Sequence, residues 1–279
     1  MSAHVPTESL FLGTQGIAAL PGDARGFAYG DGLFETLRVH RGAMPWWSMH
    51  MARLARGAAR LALALPDAAQ LEREALALFP DAADGVLKLI VSRGGGGRGY
   101  GPDPDAPPLW RLSRHPLPAP AREGGLVLRW CDTRLAVQPA LAGLKHCNRL
   151  EQVLARAEWN DAGIDEGLLR SSDGDVVCAT AANVFVLHGT QWSTPRIDRC
   201  GVAGVCRAWV LAETGATEAR LTPDDVQSAD AVLLCNAVRG ILPVARLDAR
   251  TWWPHPAVAD LRRRLARAHP GFAVDQEVA

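Results

Sequence analysis

Residues 141–159 read LAGLKHCNRLEQVLARAEW, and the reading of this run decides how the rest of the chain is placed. Gln138-Pro139 just before it marks a loop. From residue 146 to 159 the apolar side chains Leu150, Val153, Leu154 and Ala157 recur at helical spacing, which predicts a helix with that face turned inward. Between loop and helix stands Lys145. The 279 residues hold thirty Lys+Arg side chains, and only Lys88 and Lys145 among them are lysine. In so arginine-rich a sequence a retained lysine points to a primary amine that can lose its proton, serving as a base or as a nucleophile toward a carbonyl. A coding bias toward arginine gives the same count without chemistry. Lys145, held on a loop, is the stronger candidate. Lys88 falls mid-strand beside Val86 and Ile90, where a packed stem with a solvated or ion-paired head is expected.

Upstream, residues 26–39 (GFAYGDGLFETLRV) form a glycine-punctuated loop feeding a strand, with Phe34, Thr36 and Arg38 alternating against Leu33, Glu35, Leu37 and Val39. Residues 48–65 predict a helix capped by Ser48, its stripe made of Met51, Leu54, Ala58, Leu61 and Leu65, with His50, Arg53, Arg56 and Arg60 on other faces. A short helix over 68–78 and strands over 85–92 and 109–113 follow. Pro116, Pro118 and Pro120 make a stiff connector. A boundary there gives an N-terminal α+β domain at 1–118 and a C-terminal α/β domain at 119–279 that carries Lys145. Downstream the pattern predicts a strand over 126–131, a hairpin around Asp173-Gly174, a strand over Asn183–His188 and a helix over 204–214. A Thr222-Pro223 capped turn, a strand over 231–234 and a helix over Pro256–Ala268 complete it. Strands with hairpin turns interleaved with helices favour an α+β fold of two domains with mixed sheets over a doubly wound parallel sheet.

Composition excludes several partners. Thirty Lys+Arg balance thirty Asp+Glu, so no basic field exists to hold nucleic acid or an anionic membrane. No run approaches the eighteen or so apolar residues of a membrane span, and the start MSAHVPTESLFLGTQG lacks a charged segment followed by an apolar one, so a cytoplasmic location is expected. Six cysteines occur without a C-x-x-C pair or histidines at metal spacing, which predicts reduced thiols and no metal site. The run RGGGGRGYG at 93–101 lacks the G-K-[ST] of a phosphate loop, and Pro102, Pro104, Pro107 and Pro108 prevent a following helix. What remains is a loop with Arg98 and Tyr100 at its tip, either a carboxylate receptor built from a guanidinium fork and a phenol or a solvated turn.

Taken in order, RGFAYGDGLFETLRV, HMARL, VLKLIVSRGGGGRGYG, LAGLKHCNRLEQVLARAEW, AANVF and GVAGVCR resemble the class IV pyridoxal-phosphate aminotransferase family, nearly end to end. The GLKHCNRLEQ and SRGGGGRGY runs are similar to its pyruvate-eliminating lyase branch rather than its transaminases. The resemblance implies fold type IV, a homodimer with a site between domains, a small-molecule substrate, and pyridoxal 5′-phosphate on Lys145. It implies Arg53 and the backbone N–H groups of Val205 and Cys206 at the phosphate, and Asn236 and Ala237 closing over the cofactor. Tyr29, Arg98 and Tyr100 fall at positions around the substrate carboxylate, and Asn148 flanks the lysine. The implied reaction expels pyruvate from a cyclohexadiene bearing an amine and an enolpyruvyl ether, leaving 4-aminobenzoate.

One position departs from the pattern. Five residues before the Asn of AANVF the family carries a glutamate that pairs with the pyridine nitrogen, and here that residue is Cys178. A neutral thiol cannot stabilise a pyridinium as a carboxylate does. Aromatisation of the product can drive elimination with a weak electron sink, another acid such as Glu166 can substitute, or cofactor use can be lost. Transamination of a D-amino acid or branched-chain amino acid, and a cofactor-free dimeric binding protein, stay as alternatives. With six reduced thiols, Cys178 would be the first expected to oxidise.

Overall fold

Alternating and apolar segments of the sequence build two separate sheets in the computed structural model, which describes residues 7–95 and 99–273. Arg98 lies outside the described residues. The chain divides into two units, one running to Leu117 and including Leu144–Asn148, the other made of Pro118–Gly143 and the chain from Arg149 onward. The connector read from the prolines would leave Leu144–Asn148 beyond the boundary, yet these five residues pack with the first unit.

The first unit contains strands β1 (Glu8–Leu12), β2 (Gln15–Gly16), β3 (Gly32–Val39), β4 (Gly85–Arg93) and β5 (Pro108–His115), with helices α1 (Arg25–Tyr29), α2 (Trp47–Leu61) and α3 (Ala68–Ala77). Its sheet has the order β2-β1-β5-β4-β3 and is antiparallel throughout. Along β3 the period of two is plain: Leu33, Glu35, Leu37 and Val39 are buried, while Phe34, Thr36 and Arg38 are half-buried. Helix α2 corrects two expectations. It follows Trp46 in a left-handed conformation (φ 60°) with no side-chain cap, so Ser48 sits inside the first turn. Its buried face is His50, Arg53, Leu54, Gly57 and Ala58, not the all-apolar stripe. The buried carboxylate of Glu35 draws His50 and Arg53 inward, and a Cβ on Gly57 would stand 2.9 Å from Leu33, so that glycine permits the close approach. Arg93 closes the other end of α2 by donating to the carbonyls of Leu61 (2.7 Å) and Ala62 (2.6 Å), two acceptors that a helix end leaves without partners.

The second unit contains β6 (Leu126–Leu135), α4 (Leu150–Arg156), β7 (Glu166–Ser171), β8 (Val176–Ala179), β9 (Asn183–His188) and β10 (Gln191–Pro195). After these come α5 (Val205–Thr214), β11 (Thr217–Ala219), α6 (Pro223–Gln227), β12 (Ala231–Asn236), β13 (Gly240–Leu247), β14 (Arg250–Thr251) and α7 (Pro256–Ala268). The sheet order is β11-β10-β9-β12-β13-β6-β7-β8, with β14 on β13, and its pairings are mixed, since β6 runs parallel to both β7 and β13. The residues of β7 and β8 divide between two cores. Leu168, Val176 and Ala179 enter a core with Leu128, Val184, Val186 and Leu234, whereas Leu169, Val177 and Cys178 enter a second cluster with Cys131, Leu135, Ala155 and Trp159. Each fully buried leucine contributes roughly 1.5–3 kcal/mol relative to exposure. The expected inward face of the helix after Lys145 is reversed: Leu150, Val153 and Leu154 are 77%, 59% and 61% exposed, and Ala155 supplies the packing instead.

Candidate active site

In the first unit the lysine loop is held as an extra strand-like segment. The N–H of Phe34 donates to the carbonyl of Lys145 (2.9 Å), the N–H of Cys147 donates to the carbonyl of Gly32 (2.9 Å), and Leu33 bridges His146. This pairing places Lys145 Nζ 4.1 Å from the centroid of the Phe34 ring. Asn148, three residues on, donates from Nδ2 to the carbonyl of Gly30 (3.2 Å). Gly30 has φ 64°, and a Cβ there would collide with the Asn148 amide, so the residue must be glycine for both reasons. Tyr29, just before it, meets Tyr100 edge to face at 5.5 Å. Arg25 binds the same place from beneath: its guanidinium donates to the carbonyls of Gly99 (3.0 Å) and Tyr100 (3.1 Å), and Asp31 accepts from the Nε of both Arg25 and Arg93. Lys145, Asn148, Tyr29 and Tyr100 thus share one unit, with Tyr100 86% exposed.

Arg53 stands on the inward face of α2, where Glu35 accepts from its Nε at 2.8 Å and from its Nη2. The same carboxylate meets His50 Nδ1 at 2.6 Å. Burial raises the Glu35 carboxyl, but the hydrogen bonds from Arg53 and His50 and their charges outweigh it and bring the pKa to about 2. His50, 0% exposed, is pushed below the usual histidine value, because burial outweighs the opposing pull of Glu35. A neutral ring then donates from Nδ1 to Glu35. Glu35 and His50 were not among the residues singled out from sequence. The available signals were an acid at an inward position of a period-two strand and a His-x-x-Arg pair spaced to share a helix face. Lys88 is half-buried and has no ion pair among the described residues, so the ion-paired form of its expected head is absent there; its Nζ lies 5.8 Å from the Phe34 centroid.

In the second unit α5 begins at Gly204 without a side-chain cap, and among the described residues no acceptor meets the N–H groups of Val205 or Cys206. Asn183 donates from Nδ2 to the carbonyl of Val202 (2.9 Å) and lies so close that a Cβ on Gly204 would strike it. Both side chains of the first turn point into the core, the Cys206 thiol hydrogen-bonding Cys235, so the turn offers backbone donors and a helix dipole. That donor set fits a phosphate. Asn236 ends β12, accepting from the N–H groups of Val238 (3.0 Å) and Arg239 (2.8 Å), which fixes the turn containing Ala237. Cys178 is buried, and desolvation, then the neighbouring Cys200, push its thiol up to about 12, so it is neutral and shielded; this overturns its expected place as the first thiol to oxidise. Glu166 accepts through Oε1 from the N–H groups of Gly167 (2.9 Å) and Thr180 (3.3 Å) and from the Thr180 hydroxyl.

An amine on a strand-paired loop and an uncapped helix start are the kinds of group that a phosphorylated aldehyde requires. Residues 32–247 match the model of the amino-transferase class IV family, and the chain belongs to that family. It is 36% identical over 250 residues to an aminodeoxychorismate lyase of Vibrio harveyi, covering 86% of this chain and 92% of that protein. The crystal structure of 4-amino-4-deoxychorismate lyase from Pseudomonas aeruginosa is 43% identical and superposes with a TM-score of 0.87 over 93% of this chain and 99% of that one. A T.th. branched-chain amino acid aminotransferase, complexed with N-(5′-phosphopyridoxyl)-L-glutamate, shares the fold at 20% identity, with a TM-score of 0.82 over 98% of each chain.

Proposed function

We propose that this chain is a pyridoxal 5′-phosphate enzyme that eliminates pyruvate from 4-amino-4-deoxychorismate and leaves 4-aminobenzoate, working as a cytoplasmic homodimer. What carries the reading is the 36% identity to a lyase named for that substrate across 92% of its length, joined to a lysine whose backbone is held by strand pairing. Among the described residues no helix is long and apolar enough to cross a membrane and no metal-binding cluster occurs.

When bound, the cofactor supplies an electron sink for charge developing at the amine-bearing ring carbon. Val205 and Cys206 offer their backbone N–H groups and Arg53 its guanidinium to the phosphate, with Glu35 fixing the orientation of that fork. Lys145 Nζ would hold the aldehyde of the cofactor, and its free amine would act as the base. It removes the proton on the amine-bearing carbon, the ring C–O bond to the enolpyruvyl group breaks, and the same ammonium returns the proton to the departing methylene. Pyruvate leaves and the ring becomes aromatic. Asn148 and Tyr29 flank the lysine loop, and Arg98 with Tyr100 holds a substrate carboxylate, which orients without transferring protons. Asn236 and Ala237 close over the cofactor. Cys178, being neutral, gives the ring nitrogen no counter-ion, so the gain of aromaticity has to drive the elimination. Reversible transamination gains nothing from aromatisation and is the less suited reaction here.

Purified protein with added pyridoxal phosphate should show a visible-edge absorption band. Borohydride should trap the label on Lys145, and Lys145→Ala should abolish both band and pyruvate release. Pyruvate should form without any keto-acid acceptor. A label on Lys88, or none, overturns the assignment.

A further inference from the structure

The chain has only two tyrosines, Tyr29 and Tyr100, and they meet, their rings edge to face at 5.5 Å. Tyr29 ends α1, a short helix seated on β4, where a Cβ on Gly26 would strike Ser92 at 2.5 Å. Tyr100 comes from the stretch between β4 and β5, in which Pro102, Pro104 and Pro107 lack the backbone donors that a helix or a strand pair needs. Its local sequence therefore gives it no fixed place. Among the described residues, the hydrogen bonds that reach Gly99 and Tyr100 come from one side chain, Arg25. Its Nη1 donates to the carbonyl of Gly99 (3.0 Å), its Nη2 to that of Tyr100 (3.1 Å) and its Nε to Asp31 (2.9 Å). The same guanidinium lies 5.0 Å from the centroid of the Tyr29 ring. One planar group thus grips both tyrosines, and all of these residues belong to the first unit.

Arg25 is buried, so its charge needs partners. Asp31 cannot supply them alone, because its Oδ2 also accepts from the Nε of Arg93 (3.0 Å), another buried guanidinium. Two guanidinium groups on one carboxylate leave a positive charge for carbonyl oxygens to meet. Arg93 finds them on Leu61 and Ala62 at the end of α2, and Arg25 finds them on Gly99 and Tyr100. Lifting residues 99–100 away would leave two buried guanidinium N–H groups without acceptors, and that cost holds the two carbonyls down. A lysine could keep the ion pair with Asp31, but its single ammonium cannot serve a carboxylate and two carbonyls spread along one plane. The grip is joined to the lysine loop through Gly30, next to Tyr29, whose carbonyl accepts from Asn148 (3.2 Å).

We propose that Arg25 is a positioning residue for substrate: by fixing Tyr100 against Tyr29 it sets the place of the two phenols, and it acts through them without touching substrate or cofactor. The assignment rests on the lyase reading for the substrate and for the part the tyrosines play. Its test compares wild type, Arg25→Lys, Tyr100→Ala and the double variant, each loaded with pyridoxal phosphate. Arg25→Lys keeps a cation on Asp31, so it should unfold cooperatively and bind pyridoxal phosphate within about twofold of wild type. Its KM should rise about tenfold or more while kcat changes by less than about threefold. In the Tyr100→Ala background the same substitution should raise KM no further, because the two residues act as one unit. Chymotrypsin should cut after Tyr100, at the carbonyl that Arg25 holds, about tenfold faster in Arg25→Lys than in wild type. An unchanged KM in Arg25→Lys, KM effects that multiply in the double variant, or a matching fall in kcat and cofactor affinity overturns the proposal. Failure of the lyase reading is seen separately, as a wild type that takes up the cofactor and releases no pyruvate. The protease comparison then decides the grip by itself, and equal cleavage of the two proteins would overturn it.

Discussion

A carboxylate 1% exposed in the middle of a strand stays ionised only if its neighbours overcome the cost of burial, and Glu35 has Arg53 and His50 to do so. The balance falls far to the ionised side, since the pKa drops from the ordinary 4.5 to about 2. A depressed carboxyl contributes stability that is fully present above its unfolded pKa and is lost as pH falls through the folded one. Glu35 therefore contributes about 3 kcal/mol at neutral pH, fading between pH 4.5 and 2. His50 acts in the same direction: its folded pKa lies below 6.5, so the unfolded chain binds its proton first and stability begins to decline as pH falls below that value. Glu35→Gln should cost about 3–5 kcal/mol at pH 7, because it leaves Arg53 buried without its counter-ion. Its urea-unfolding free energy should also be flatter than wild type between pH 4.5 and 2. An unchanged acid limb in the variant would show that Glu35 is not the group that titrates. Lys145 could be picked from sequence because lysine is scarce, and Arg53 because the run HMARL resembles the family's. Glu35 could not, because its partners stand fifteen and eighteen residues away on α2 and only folding brings them together.

Helix starts separate the element proposed to hold the phosphate from an ordinary one. At α6 the Thr222 hydroxyl and the Asp225 carboxylate satisfy each other's backbone N–H groups, so those two donors are taken. At α5 the cap is Gly204 and the donors stay open. Thr222→Ala should lower stability by about 1 kcal/mol without altering the dissociation constant for pyridoxal phosphate. Gly204→Ala should force Asn183 aside, lower stability by about 1–3 kcal/mol, and weaken cofactor binding tenfold or more. Thermal unfolding of the cofactor-free proteins and titration with pyridoxal phosphate read the two effects independently, and equal cofactor affinity in both variants would remove α5 from the site. Elements bounded by local chemistry were legible in the sequence: α7 spans Pro256–Ala268 as its proline and spacing require, β9 is Asn183–His188, and the Thr222 cap is present. Features set by distant partners were not. The buried face of α2 depends on Glu35, and residues 144–148 join the first unit by pairing with β3, more than a hundred residues earlier.

At the scale of the whole molecule the unanswered surface is α4. A helix with Leu150, Val153 and Leu154 all more than half exposed breaks the usual rule that an apolar stripe is buried, and within the described residues Ala155 does its packing instead. The periodicity of the sequence was therefore a sound guide to the helix and a misleading one to what covers it, because an apolar face reads the same whether it meets its own core or a second chain. Two-fold association would bury each of these side chains twice, once per protomer, and each leucine so covered contributes on the order of 1.5–3 kcal/mol. Phe27, 80% exposed beside Tyr29 on α1, is a further apolar side chain open to such contact. The expected solution species is thus a dimer of roughly twice the 29.9 kDa chain. Leu154→Asp should shift sedimentation toward the monomer at micromolar concentration, since a carboxylate brought into a two-fold apolar contact must be desolvated in both copies. The secondary structure of the variant should be unchanged, because Leu154 is already outside the fold's own core. A wild type that sediments as a monomer, or a variant that stays dimeric, would leave α4 without the proposed partner.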